Sequence, residues 1–466
     1  MLIAVIIFII FFTVLAYQKL DWALLLLISA LPAYLVRFNI LGIPSTLLEV
    51  MILISTAVWF VKSFLPRAKI LLTDRTQFRA YPFSWEIILV VIISFIAAGV
   101  AGFSYGALGI WKAYFFEPLL LFILVFNVFS QRRDLLKILW ALAVSAAAVS
   151  ILAIFQKITG LFIANPFWAA AATRRAVSWF GYPNAVGLYL APLTMIFIGW
   201  LFSFPKKSGD DQTLQKILIT LTIIASVLAI YSARSEGALI GIAAGLLIFG
   251  LLAGSRQRII TLALLAVLVG GVFYFAPTNN FVITKLGLHD LSGQIRRQQW
   301  KETITMLSQG KIISGAGLDN YQTAIKPYHQ AGIFFNSDNL PNFDSRVYGS
   351  AALRAKYWQP VEIYMYPHNI FLNFWSELGL LGALLFTWLI GRYLYTSLKL
   401  TIALGRDKNP EKYLILGLLT AMVAIVIHGL VDVPYFKNDL AAMFWIFFAL
   451  LSAFNLHYRH SRELKN

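Results

Sequence analysis

An all-α polytopic membrane protein is the fold class this chain of 466 residues predicts, and three observations predict it. Hydrophobic residues make up 59% and charged residues only 13%. Apolar runs long enough to span a bilayer, about 17 to 25 residues, recur along the whole chain. The runs are continuous rather than alternating with period two, so helices and not a barrel must do the spanning.

In chain order, spans are predicted near 2–16, 21–36, 46–64, 87–106, 110–130, 135–159, 183–203, 217–233, 236–254, 258–276, 369–397, 413–433 and 439–457. The first resembles a secretory leader. It lacks a basic leading region, however, and no small-residue cleavage site precedes Tyr17, Gln18 and Lys19, so a retained span is expected. The first short hairpin leaves the count at about 12 or 13 transmembrane helices. The chain then divides into 1–276 with about ten spans, a large polar loop at 277–365, and 366–466 with about three more.

The formal charge of +17 does not imply nucleic acid, because much of it sits in short loops between apolar runs. Lys19, then Arg67, Lys69, Arg75 and Arg79, then Arg132 and Arg133, then Lys206, Lys207 and Lys216 all fall on one side. Arg256 and Arg258, Arg406, Lys408 and Lys412, and Arg459, Arg462 and Lys465 continue the pattern. The positive-inside rule makes that side, with the C-terminus, cytoplasmic and puts the large loop outside. There is no cysteine, so disulfides and thiolate metal sites are unavailable.

Loops longer than about 12 to 15 residues are usually functional or disordered, and 277–365 is far longer. Within it, "LSGQIRRQQWKETITMLSQG" spaces Ile295, Trp300, Ile304 and Leu307 at helical intervals, which predicts a small folded cap. "YHQAGIFFNSDNLPNFDSRVYGS" reads as irregular loop punctuated by Pro341 and Gly349.

Some polar groups on the loop side are not needed by a helix that merely sits in lipid: Arg174, Arg175, Arg234, Glu236, Arg296, Arg297, His368, His428 and Asp432. Each has a structural explanation. Arg174 and Arg175 suit loop solvation or lipid headgroups. Arg234 and Glu236 suit pairing across a turn, and Arg296 with Arg297 a solvated helix face. His428 and Asp432, four apart, suit one helical face. His368 suits a helix-start residue bonded to backbone. Together they suggest chemistry. Several guanidinium forks at one face suit a diphosphate-bearing ligand, and a histidine at the same mouth can take a proton from a hydroxyl. Arginine stabilisation of a leaving diphosphate needs no metal, and neither a His-Glu-x-x-His run nor a Gly-rich nucleotide loop is present. No cofactor is expected.

Four stretches in order carry a resemblance. They are "RAVSWFGYPNAVG" from Arg175, "SARSEGALIG" from Ser232, "RRQQW" with "GAGLDNY" from Arg296 to Tyr321, and "PHNIFLNFWSELGLLG" from Pro367 to Gly382. Together they resemble the O-antigen ligase and O-antigen polymerase superfamily. The resemblance implies a fold similar to the GT-C membrane glycosyltransferases. It also implies a polyprenyl (undecaprenyl) diphosphate-linked glycan as donor, and transfer to a glycan, lipid or protein acceptor at the outer face of the cytoplasmic membrane. It maps the family histidine onto His368 and the outer-loop arginine onto Arg296. The arginine of the family's Ser-Arg-Gly turn maps less cleanly, because Glu236 stands in its place and Arg234 two residues earlier. Arg175, Arg234, Arg297, Trp300, Asn184 and Asn369 complete the expected substrate-binding set. Glu377, about half a turn out of phase with His368, is expected to serve packing or a bond between spans, and Gly379 and Gly382 to allow close helix approach. A polymerase shares this chemistry and differs in its acceptor. A transporter is the non-enzymatic rival, with Lys112 and Glu117 as its best support.

Overall fold

Without water in the hydrocarbon layer, an apolar run must satisfy its backbone internally, and it does so here as helix. The computed structural model describes residues 2–40, 42–66, 81–129, 131–205, 209–275, 284 and 287–463. Arg67, Lys69, Arg75, Arg79, Lys206, Lys207 and Lys465, and most of 277–286, lie outside the described residues. Of Arg132 and Arg133 only the backbone is described.

The main helices are α1 (Leu2–Gln18), α2 (Leu20–Ser29), α3 (Leu47–Phe64), α4 (Ser84–Val100), α5 (Tyr105–Val128), α6 (Arg132–Thr159) and α7 (Pro183–Ser203). They continue with α8 (Asp210–Ser232), α9 (Glu236–Ala253), α10 (Ser255–Phe275), α11 (Leu291–Ser308), α12 (Ile370–Arg406), α13 (Glu411–Gly429) and α14 (Asn438–Glu463). Nine among the described residues are long and apolar enough to cross a membrane: α3, α5 to α9 and α12 to α14. α1, α2 and α4 are shorter apolar helices. The chain is an all-α, multi-pass membrane protein.

The predicted span at 21–36 is not a continuous α-helix, and those at 87–106 and 369–397 are interrupted too. The run 21–36 stops as α-helix at Ser29 and turns through a 3₁₀ segment, Leu31–Leu35, where Pro32 removes a backbone donor. A two-stranded hairpin follows, β1 (Arg37–Ile40) against β2 (Ile43–Thr46), turning at Gly42 with φ +85°. Thr46 then caps α3, accepting from Glu49 N at 3.2 Å while its own N–H donates to Glu49 Oε2 at 3.3 Å.

Small residues set the packing of the second half. A Cβ on Gly199 of α7 would lie 2.6 Å from Gly417 Cα of α13, and one on Gly241 of α9 would lie 2.8 Å from Ala424 O. Only glycine permits these approaches, so α13 is gripped by α7 and α9. α14 is buried on every side from Asp439 to Phe454, and its apolar sequence all round suits that place.

α12 is broken at Gly379 (φ 75°, ψ −178°). Gly379 and Gly382 were expected to allow helices to approach each other, and the structure corrects this. A Cβ at 379 would fall 2.1 Å from Ile313 O, so the glycine admits a strand of the loop. A Cβ at 382 would meet Leu378 of the same helix at 2.2 Å, so that glycine accommodates the kink. Ser376 O accepts from Ala316 N at 2.6 Å, and Leu380 N donates to Ile313 O at 3.1 Å. Glu377 accepts from Asp319 N at 3.0 Å, tying the span to the loop rather than to another span.

The loop has its own small core of Met306, Leu307, Ala316, Tyr321 and Ile325. α11 is helical, as its spacing predicts, but Ile304 is exposed. The buried face instead carries Gln299, Glu302 and Thr303. Glu302 is satisfied there by Gln330 N at 2.9 Å and by His329 Nδ1 at 3.3 Å. A short pairing of β3 (Gly332–Phe334) with β4 (Trp358–Pro360) closes the cap.

Candidate active site

The loop face gathers chain segments that are distant in sequence. Arg175 leads towards α7, and Asn184 stands in the first turn of that helix. Arg234 lies in the turn between α8 and α9, at φ +51°. Arg296 is on α11, His368 and Asn369 open α12, and Asp432 lies just past the end of α13.

Asn369, not His368, caps α12. Its Oδ1 accepts from Phe371 N at 3.1 Å and Leu372 N at 3.0 Å, and its Nδ2 donates to Leu430 O at 3.1 Å. His368 stands one residue before the cap at φ +47°, a left-handed conformation that a side chain resists. That strain is held by the cap on one side and by Tyr364 on the other, whose ring stands edge-on at 5.2 Å. Backbone strain of this kind gathers at functional sites.

The imidazole faces a carboxylate. His368 Nδ1 is 3.6 Å from Asp432 Oδ1, an ion-pair distance slightly longer than a hydrogen bond. Asp432 is 4% exposed, which makes its partners decisive. Oδ1 accepts from Val433 N at 2.9 Å, and Oδ2 accepts from Asn184 Nδ2 at 3.0 Å. Burial alone would raise this carboxyl. The facing imidazoles of His368 and His428, with the Val433 N–H, instead hold it well below the usual carboxylate range. His428 and Asp432 were read as two positions on one helical face. The helix ends at Gly429, however, and Asp432 turns to His368 and Asn184.

Three guanidiniums lie beside this pair. Arg175 donates through Nε to Ala233 O at 2.9 Å, and through Nη2 to Asn184 Oδ1 at 3.2 Å and Arg234 O at 3.3 Å. Arg296 Nε donates to Val431 O at 2.9 Å and its Nη1 to Ser292 Oγ at 3.2 Å. The partners are neutral carbonyls, amides and hydroxyls, so these bonds fix the forks without cancelling their charge. Burial lowers the pKa of Arg175, and the nearby charges of Arg234 and Arg296 lower it further against the pull of Glu236. Such a cluster is electrostatically unfavourable by itself and favours a multiply charged anion.

Arg297 and Trp300 are placed elsewhere. They line a groove of about 500 Å³ with Leu288, Lys301, Ile304 and Thr305, which none of the other candidates lines. Adjacent positions on α11 point about 100° apart, so Arg296 turns inwards and Arg297 outwards. Lys112 is ion-paired with Glu49, while Glu117 is buried on α5. Asp432 is the residue whose place in the site the sequence did not give. In the sequence it stood out only among the loop-side polar groups, four residues after His428.

A family model for O-antigen ligase matches residues 221–387. That stretch contains Arg234, Arg296, Arg297, Trp300, His368 and Asn369, while Arg175, Asn184 and Asp432 lie outside it. No curated protein matches the chain.

Proposed function

Because a family model for O-antigen ligase matches residues 221–387, we propose that the chain is a membrane glycosyltransferase of the O-antigen ligase and polymerase kind, moving a glycan from a polyprenyl diphosphate to an acceptor hydroxyl at the extracytoplasmic face of the cytoplasmic membrane. The observation that carries this reading is the cluster of Arg175, Arg234 and Arg296 beside a histidine–carboxylate pair.

The chemistry divides between the two groups. Arg175 and Arg296, held by carbonyls, present planar forks to the diphosphate, and Arg234 adds charge. Their interaction strengthens as the leaving oxygen gains charge, which is transition-state stabilisation. Asp432 faces Nδ1 of His368 and leaves Nε2 for the acceptor. The acceptor oxygen attacks the anomeric carbon, and its proton goes to Nε2. The bond from that carbon to the diphosphate oxygen breaks, and polyprenyl diphosphate leaves with the electron pair. Asp432 steadies the imidazolium that forms.

The test is transfer by the purified protein from a synthetic polyprenyl-diphosphate glycan to glycan, lipid and protein acceptors, with the product linkage analysed. Absence of transfer to every acceptor, with donor binding intact, would sink the reading.

A further inference from the structure

A second polar cavity of about 490 Å³ opens on the loop face, lined by Arg37, Asn39, Glu49, Lys112, Asp319 and Tyr366 among others. The β1–β2 hairpin forms one wall and the start of α5 another. None of Arg175, Arg234 and Arg296 lines it. It approaches the arginine site through the irregular segment before α12, since Met365 and Tyr366 line it and His368 follows two residues after Tyr366. Tyr366 is fixed there by its ring against Phe436 at 5.9 Å and its hydroxyl on Phe436 O at 3.4 Å.

The lining is built for a charged, hydroxyl-rich guest. Glu49 is held twice, by the cap on Thr46 and by its ion pair with Lys112, so its carboxylate is fixed in place at the wall. Asp319 lies across Gly106, where a Cβ would fall 1.8 Å from Oδ2, so only glycine leaves room for that carboxylate. Its own backbone N–H is anchored to Glu377. Arg37 is exposed, and among the described residues its guanidinium makes no ion pair or hydrogen bond. One cationic fork without a partner, beside carboxylates that can accept from hydroxyls, matches a sugar that carries an anionic group.

We propose that this cavity is the acceptor subsite, taking an anionic sugar whose phosphate or carboxylate lies on Arg37 and whose hydroxyls reach Glu49 and Asp319. This rests on the glycosyltransferase reading, and it gives donor and acceptor separate sites, joined in the chain by the segment from Met365 to His368.

Binding to the full-length protein tests it directly, with glucose 6-phosphate, glucuronate, glucose and inorganic phosphate as probes. A charged sugar is expected to bind at least about tenfold more tightly than glucose or inorganic phosphate, the worth of one charge-assisted contact. Arg37→Ala should remove that preference and Arg37→Lys restore part of it, because the charge returns without the fork. Preference lost in Arg296→Ala but kept in Arg37→Ala would overturn the assignment, as would equal binding of inorganic phosphate. In the transfer assay, Arg37→Ala should raise KM for an anionic acceptor by about tenfold while KM for the donor stays within about twofold. Wild-type transfer with both constants unmoved in Arg37→Ala overturns the subsite alone. No wild-type transfer, with the sugar preference still dependent on Arg37, overturns the glycosyltransferase reading and leaves the binding site standing.

Discussion

Asn184 Nδ2 donates to Asp432 Oδ2 at 3.0 Å across 248 positions of chain. The bond joins the first turn of α7 to the segment after α13, and it fixes the carboxylate that faces His368. Through Asn184 Oδ1, the same amide also receives Arg175, so one side chain holds both the Arg175 guanidinium and the carboxylate that faces the imidazole.

Asp432→Asn keeps the shape and removes the charge. The expected result is a fall in kcat of roughly 10- to 10³-fold with little change in KM for the donor, because the imidazolium loses its counter-charge. Unchanged kcat would reduce Asp432 to a structural group.

His368→Ala should lower turnover by roughly 10² to 10⁴-fold while donor binding survives on the arginines. His368→Gln still hydrogen-bonds but carries no proton at neutral pH. Substantial activity in the Gln variant would mean that His368 positions the acceptor. The base role also requires an acidic limb in the wild-type pH–rate profile that is absent from the variants.

Arg296→Ala should nearly abolish transfer, and Arg296→Lys should recover only part of it, since an ammonium lacks the fork. Arg297→Ala should be milder, because Arg297 faces the outer groove. Equal losses at both positions would break the distinction.

Gly379→Ala tests the loop docking. Its φ of 75° and the approach of Ile313 O leave no place for a methyl group, so a loss of roughly 1 to 3 kcal/mol is expected from backbone strain alone. Thermal unfolding of the purified protein reads it, and a wild-type melting temperature would contradict the docking.

A reporter fused near Ser337 should be extracytoplasmic and one after Lys408 cytoplasmic. Both reporters on one side would remove the site from the outer face.

The all-α, multi-pass class was legible because continuous apolar sequence admits one solution in lipid. The break after α2 was less so, although Pro32 stood in plain view inside a run that otherwise read as helix. His368, Arg296 and Arg175 could be chosen from residue type and local motif. The link from Asn184 to Asp432 could not, because nothing local at either position encodes a partner so far along the chain. Arg297 and Trp300 entered the binding set with the "RRQQW" motif, whereas in the structure both line a groove that Arg296 does not. Gly379 announced a special position but not its reason, since a glycine that admits a foreign carbonyl reads the same as one that admits a helix.

The break at Gly379 also decides how the loop is fastened to α12. The carbonyl of Ser376 and the amide of Leu380, which an unbroken helix would pair with each other, are both spent on the loop strand through Ala316 and Ile313. Lifting that segment away would leave two polar groups unpaired until the helix closed across Gly379, at a cost of several kcal/mol each. The cap is therefore stitched down at this seam and is no hinged lid. In the proposed reaction, a long lipid-borne donor would then slide in edgewise from the bilayer, and its spent carrier would leave the same way, beneath a roof that stays shut.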